Sequence, residues 1–203
     1  TLPKERISTF TTYYEAGVPR VQNIRLAASI INGTYIPPGE QFSMNGVLGE
    51  RTPDKGYVTA GIIRNGRLAE SYGGGISQVS TTIFNASFFA GVQLDAWQAH
   101  SFYISRYPMG REATVSWGGP ELIWRNDWPA AILVDTAYTD TSITVRLYSS
   151  KLGRKVKTTT GEPHSYVTPR TITVSNSSLA PGTTHVVQSA GPSGFTISYT
   201  RNV

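Results

Sequence analysis

The chain contains no cysteine. That excludes disulfides and thiolate metal sites and leaves the redox compartment open. Charge is sparse: 15% of residues are Asp, Glu, Lys or Arg, against roughly 25% in typical soluble proteins. Lys plus Arg number 18 and Asp plus Glu 13, a net charge of +5. No Lys/Arg cluster is dense enough to suggest nucleic acid. The modest basic excess fits an anionic polymer, although such an excess usually serves solubility alone. Neither a secretory leader nor an apolar run of ~18 residues is read within the chain, so no membrane segment is expected in it. The three histidines, His100, His164 and His185, lack metal-ligand spacing, and neither a metal nor a cofactor is expected.

Glycine, proline, serine and threonine are plentiful, favouring a β-rich, loop-rich fold. The 203 residues suffice for one good-sized domain, or one domain plus a small module. The most informative stretch is 71–91. Gly73-Gly74-Gly75 runs into a helical pattern in which Ile76, Val79, Ile83, Ala86 and Ala90 share one face. Gly91 supplies the stop. The first turn of such a helix leaves backbone N–H groups unpaired and partially positive. Ser77 is the one nucleophile-type side chain there, and an oxyanion beside it would meet those donors. A helix cap is the plain alternative role for Ser77. The glycines do not make a dinucleotide fingerprint, since Gln78 fills the third glycine position, nor a P-loop or a Gly-x-Ser-x-Gly elbow.

Residues 73–86, Gly-Gly-Gly-Ile-Ser-Gln-Val-Ser-Thr-Thr-Ile-Phe-Asn-Ala, resemble the signature of VanW-type domains, with Ser77 where that family has cysteine. Three further segments are similar to the family: Pro38-Gly39-Glu40-Gln41-Phe42-Ser43-Met44-Asn45, Gly49–Tyr57, and His100-Ser101-Phe102 followed by Pro108-Met109-Gly110-Arg111-Glu112-Ala113-Thr114-Val115. Glu112 stands where the family usually has Asp. The resemblance implies an L,D-transpeptidase-type acyl transfer on peptidoglycan stem peptides. Position 77 would carry the nucleophile and His100 the base. N–H groups of the Gly73–Gln78 loop, from Gly74 to Gln78, would bind the oxyanion. Ser101, Arg111 and Glu112 would orient or bind. Ser77 then marks an inactivated form. The alternatives are a non-catalytic peptidoglycan-binding module and a structural wall-associated protein. Stem peptides, and glycan strands with them, are the implied partners. An extracytoplasmic, cell-wall location follows, and the abrupt start at Thr1 reads as a cut-out of a longer exported or anchored protein.

The expected fold is α+β: helices 18–32 and 76–90 packed on a mostly antiparallel β-sheet, followed by a small all-β module. Lys4–Tyr14 reads as a strand rich in β-branched and aromatic residues. Hairpins are expected around Asn65-Gly66 and between Ala130–Tyr138 and Ser142–Tyr148. Arg20 and Arg25 read as solvated charges on the first helix. Trp117, Trp124 and Trp128 either line a groove for a glycan or peptide or close the core. A polar, basic stretch at 149–155 divides residues 1–149 from 150–203. The second part carries expected strands at 170–174, 184–188 and 194–200. Its segment Leu179–Gln188 is similar to part of the G-five module of bacterial surface proteins, in a truncated length.

Overall fold

The computed structural model describes all residues except 1, 2, 65, 66, 102, 151 and 152, and the backbone alone of residue 64. The Asn65-Gly66 turn and Phe102 therefore lie outside the described residues. In chain order the elements are β1 (Glu5–Tyr13), α1 (Arg20–Ile31), β2 (Tyr35–Ile36), β3 (Gln41–Ser43), α2 (Met44–Leu48), β4 (Thr59–Arg64), β5 (Arg67–Tyr72) and α3 (Ile76–Ala90). They continue with β6 (Gln93–Ala96), β7 (Ile123–Arg125), β8 (Ile132–Tyr138), β9 (Ser142–Ser149), β10 (Lys157–Thr160), β11 (His164–Val167), β12 (Gly194–Thr196) and β13 (Tyr199–Asn202).

The fold is α+β, and every strand pair in it is antiparallel. A four-stranded sheet in the order β1-β9-β8-β2 forms the floor. Along β9, Ile143, Val145 and Leu147 are fully buried and alternate with half-buried residues. This is the period-2 signature of a sheet with one covered face. Helix α3 lies over β1 and β9, α1 lies over β8, and the two helices touch. A second sheet, β3-β7-β6, and the hairpin β4-β5 complete the first 150 residues.

The stripe read from the sequence of α3 is buried throughout: Ile76, Val79, Ile83, Ala86 and Ala90 are at most 2% exposed. Polar Ser80, Thr81, Thr82, Asn85 and Ser87 are buried as well. A central helix covered on nearly every side can hide such groups only where many of them find partners. Thr82 donates to the Gln78 carbonyl and pairs with Thr12 of β1, and Ser8 donates to the Ala86 carbonyl.

Two expectations change, and one left open is decided. The stretch 36–45, whose sequence reads as a turn into a short strand, runs on at Met44 into a short helix, Met44–Leu48, capped by Ser43 Oγ accepting from the Gly46 N–H at 2.9 Å. Five residues are too few for helical periodicity to show. The strands expected at 170–174 and 184–188 are absent, and Ile172, Val174, Val186 and Val187 are exposed. Strands lie instead at β10 and β11, paired with β13 and β12. Trp124 stacks on Phe42 at 5.3 Å and is buried with Trp128, so of the three grouped tryptophans only Trp117 faces solvent.

Strand β13 reaches back to the body. The Tyr199 hydroxyl donates to the Met109 carbonyl, and Arg201 donates to the Phe88 carbonyl at 3.3 Å. No helix among the described residues is long and apolar enough to cross a membrane.

Candidate functional site

The glycine bend owes its composition first to packing. Gly73 and Gly75 have φ of +78° and +101°, which side chains with a Cβ rarely adopt. Gly74 lies against β4: a Cβ there would fall 2.5 Å from the Ala60 carbonyl oxygen and 2.6 Å from its carbon. The bend is tied down by the Gly73 N–H donating to the Val58 carbonyl, and by Asn23 Nδ2 donating to the Gly74 carbonyl at 2.9 Å. Two turn hydrogen bonds follow, Ile76 N–H to Gly73 O and Gln78 N–H to Gly75 O. These occupy two of the amides expected to serve an oxyanion. The amides of Gly74, Gly75 and Ser77 donate to no acceptor among the described residues. The Gln78 side chain is fully buried and turned to β1, donating to Thr12 Oγ1 and the Tyr13 carbonyl. It is not free to meet a ligand.

Ser77 sits in the first turn of α3 and is partly exposed. Its hydroxyl accepts the Val115 N–H at 3.2 Å and lies 3.4 Å from Thr114 Oγ1. Ser77 opens a polar stripe that continues with Thr81 and Asn85, one turn apart each. Thr81 Oγ1 accepts the Ala113 N–H at 3.1 Å, and Asn85 Nδ2 donates to the Arg111 carbonyl at 2.9 Å. Three helical side chains thus bind alternate residues of the segment Arg111–Val115, in place of a neighbouring strand. The spacing of 77, 81 and 85 was visible in the sequence. Polar residues on a helix ordinarily face water, so it carried no signal.

The other side of the same segment faces residues 98–100. The Thr114 N–H donates to the Gln98 carbonyl at 2.8 Å. Glu112 grips His100 twice: Oε2 lies 2.9 Å from Nδ1, and Oε1 accepts the His100 N–H at 3.3 Å. Both side chains are 6% exposed. A carboxylate beside Nδ1 favours the tautomer that donates from Nδ1 and turns Nε2 outward as the acceptor, the orientation a general base requires. Here the extra methylene of glutamate, relative to the aspartate of the resembled motif, spans to both the ring and the backbone. The imidazole stacks on Tyr107 at 5.7 Å between ring centroids.

Arg111 and Ser101 stand apart from this group. The Arg111 guanidinium lies over Phe88, Phe89 and Tyr199, at 5.6, 4.9 and 5.2 Å from their centroids, and makes no ion pair with Glu112. Ser101 is exposed.

Arg20, expected to be solvated, belongs to the site. Its Cβ, carbonyl oxygen and Nε come within 3.0–3.3 Å of where a Gly75 Cβ would stand, so the missing side chain gives it room. Burial pulls its pKa below the ordinary arginine value, and the neighbouring Tyr107 opposes that shift. Burial likewise holds the Tyr107 phenol above its ordinary value, with Arg20 opposing that shift. No set of three or more His, Asp or Glu side chains among the described residues could hold a metal ion.

Comparison with known proteins gives a consistent picture. Residues 19–148 match the family model described as VanW like protein. The chain is 41% identical over 147 residues to the protein described as "Uncharacterized protein YoaR" from Bacillus subtilis (strain 168), covering 72% of this chain and 48% of that one. It is 29% identical over 139 residues to the vancomycin B-type resistance protein VanW of Enterococcus faecalis (strain ATCC 700802 / V583), covering 65% of this chain and 50% of that one. The chain therefore spans about half the length of these relatives. No solved structure matches.

Proposed function

This chain belongs to the VanW-like family, and from that membership we propose that its glycine-bend site recognises peptidoglycan stem peptides outside the cytoplasm. With cysteine at position 77, we propose, it performs L,D-transpeptidase-type acyl transfer on them. One observation supports the reading: Ser77, through Val115, and the imidazole of His100, through Glu112, are both fastened to the same short segment.

In the reaction, the position-77 thiol gives its proton to His100 Nε2. The sulfur attacks the carbonyl carbon between meso-diaminopimelate and the terminal D-alanine. The tetrahedral oxyanion takes hydrogen bonds from the free amides of Gly74, Gly75 and residue 77. His100 returns the proton to the departing D-alanine nitrogen as the C–N bond breaks, leaving a thioester. The amine of a second stem attacks the thioester, its proton leaves through His100, and a new amide forms as the thiol is released.

Serine performs this poorly. A cysteine pKa falls below its free value near ~8.5 at a helix N-terminus. A serine hydroxyl stays protonated and needs an aligned base in the ground state. Among the described residues, the hydroxyl of Ser77 bonds Thr114 and Val115 alone. That contact favours a second reading for the serine form, a module that binds stem peptides without turnover.

Intact-mass spectrometry of the parent and Ser77→Cys proteins with a stem tetrapeptide, and with a carbapenem-type acylating agent, tests the proposal. An adduct on the Ser77→Cys protein alone supports acyl transfer. No adduct on either, with measurable stem-peptide affinity, supports the binding module. Failure to bind sacculi at all would support a purely structural wall protein.

A further inference from the structure

We infer that Arg20 is the specificity residue of this site and binds a free carboxylate on the peptide ligand, that of the residue following the scissile bond. The inference rests on the stem-peptide reading and names which end of the ligand the site reads.

The geometry brings a cation and unsatisfied donors to one spot. Arg20 lies against Gly75, whose amide, like those of Gly74 and Ser77, has no acceptor among the described residues. The Arg20 Nε is buried and lacks a hydrogen-bond partner. The polar side chain beside it is the neutral phenol of Tyr107, and among the described residues no carboxylate pairs with the guanidinium. A half-buried guanidinium with an idle donor is an unfavourable arrangement on its own, and an arriving anion corrects it. The planar fork of arginine suits a carboxylate held by two parallel hydrogen bonds, which a lysine ammonium does not reproduce.

The surrounding charges point the same way. Arg106 adds positive potential near Arg20 and Tyr107. Arg51 packs against Gly73 on the other flank, with Nη1 committed to Asn45 Oδ1 and the Gly49 carbonyl, and with Glu50 and Glu121 in its field. The acid nearest the imidazole, Glu112, is bound to His100. The bend therefore carries cationic character with no acid of its own directed at Arg20. A ligand whose carbonyl lies over the amides at Ser77 would extend its next residue past Gly75, where a terminal carboxylate meets Arg20. An amide or a longer peptide at that point offers no charge.

The test uses two probes: a stem tetrapeptide ending in the D-alanine carboxylate, and the same peptide ending in the carboxamide. Calorimetric titration of the parent protein should show the acid binding roughly 10- to 100-fold tighter, the usual worth of a hydrogen bond to a charged group. Arg20→Gln should remove that preference by weakening the acid and leaving the carboxamide unchanged. Arg20→Lys should restore part of it. Circular dichroism of each variant checks that the fold is kept. Equal binding of the two peptides to the parent, or equal loss of both in Arg20→Gln with no rescue by Arg20→Lys, overturns the inference. Acylation of the Ser77→Cys protein is scored separately. Charge-selective binding without acylation leaves Arg20 assigned and removes the transferase reading. Acylation without charge selectivity does the reverse.

Discussion

Replacing Gly74 by alanine separates the architectural role of the glycine bend from its chemical one. Gly74 has an ordinary φ, so the cost arises from crowding alone. The added methyl would stand 2.5 Å from the Ala60 carbonyl oxygen, 2.6 Å from its carbon and 2.8 Å from its Cβ. Two of these atoms are backbone of β4, which is paired along its length with β5, so no rotamer change relieves the contact. The hairpin must move away from the bend, or the bend from α3. Overpacking of a close-fitting site costs roughly 1–3 kcal/mol, and a backbone clash belongs in the upper half of that range. For a chain of this size each kcal/mol lowers Tm by roughly 2–4 °C, so the expected loss is roughly 4–12 °C. Gly61 is the control: it lies in the same hairpin, and a Cβ there meets nothing within 4 Å. Gly61→Ala should leave the melt unchanged or raise it slightly, because alanine loses less entropy in a strand. Thermal melts followed by circular dichroism decide. If Gly74→Ala melts with Gly61→Ala, the close approach of bend and strand is not what selects glycine at 74.

In the Ser77→Cys background, His100→Ala should slow acylation roughly 10²- to 10⁴-fold, the worth of a positioned base, and an unchanged stopped-flow rate removes His100 from the mechanism. Glu112→Gln should slow it less than that, by loosening the ring, while leaving the melting temperature of the rest of the core nearly unmoved. Thr81→Val strands the buried Ala113 N–H and should cost about 1–3 kcal/mol in urea unfolding, whereas Thr81→Ser should cost less than half as much. Tyr14, Tyr57 and Tyr107 all have phenols raised above 10.0, burial being the largest cause in each. The unfolded chain releases these protons first, so the stability they protect is complete below pH ~10 and is lost as pH rises beyond it. The urea midpoint should hold between pH 8 and 9.5 and fall above 10.5, and a flat alkaline profile would contradict the burial of these hydroxyls.

The elements that carry a long period were legible. The apolar spacings of α1 and α3 and the alternation of β9 each report which face is covered, and the structure covers those faces. Short elements were not legible, since α2 and β7 hold five and three residues and no period fits inside them. The exposed valines and isoleucine at 172–187 show the converse: alternation marks a strand only where a partner lies beside it. At the site, the glycine bend and Ser77 were legible from the pattern of glycines running into an apolar helical stripe, whereas His100 and Glu112 were found through motif resemblance. Arg20 escaped because a charge off the apolar stripe of a helix normally meets water. What brings it inward is the absent side chain of Gly75, some 55 residues along the chain, and no local pattern encodes that contact.

The serine at 77 is best understood from what the fold asks of that position. The Arg111–Val115 segment needs an acceptor for the Val115 N–H, and the first residue of the Ser77, Thr81, Asn85 stripe supplies it. A hydroxyl meets this need well, and a thiol meets it weakly, being a poorer acceptor. The proposed acyl transfer would ask the opposite: the same helix N-terminus and free amides favour a thiolate and do little for an alcohol. Position 77 thus trades a backbone clasp against a nucleophile with little change of volume. Ser77→Cys should therefore cost no more than about 1 kcal/mol while opening acyl transfer. A large loss of stability together with no adduct would mean that the clasp, and not the chemistry, is what this position is for.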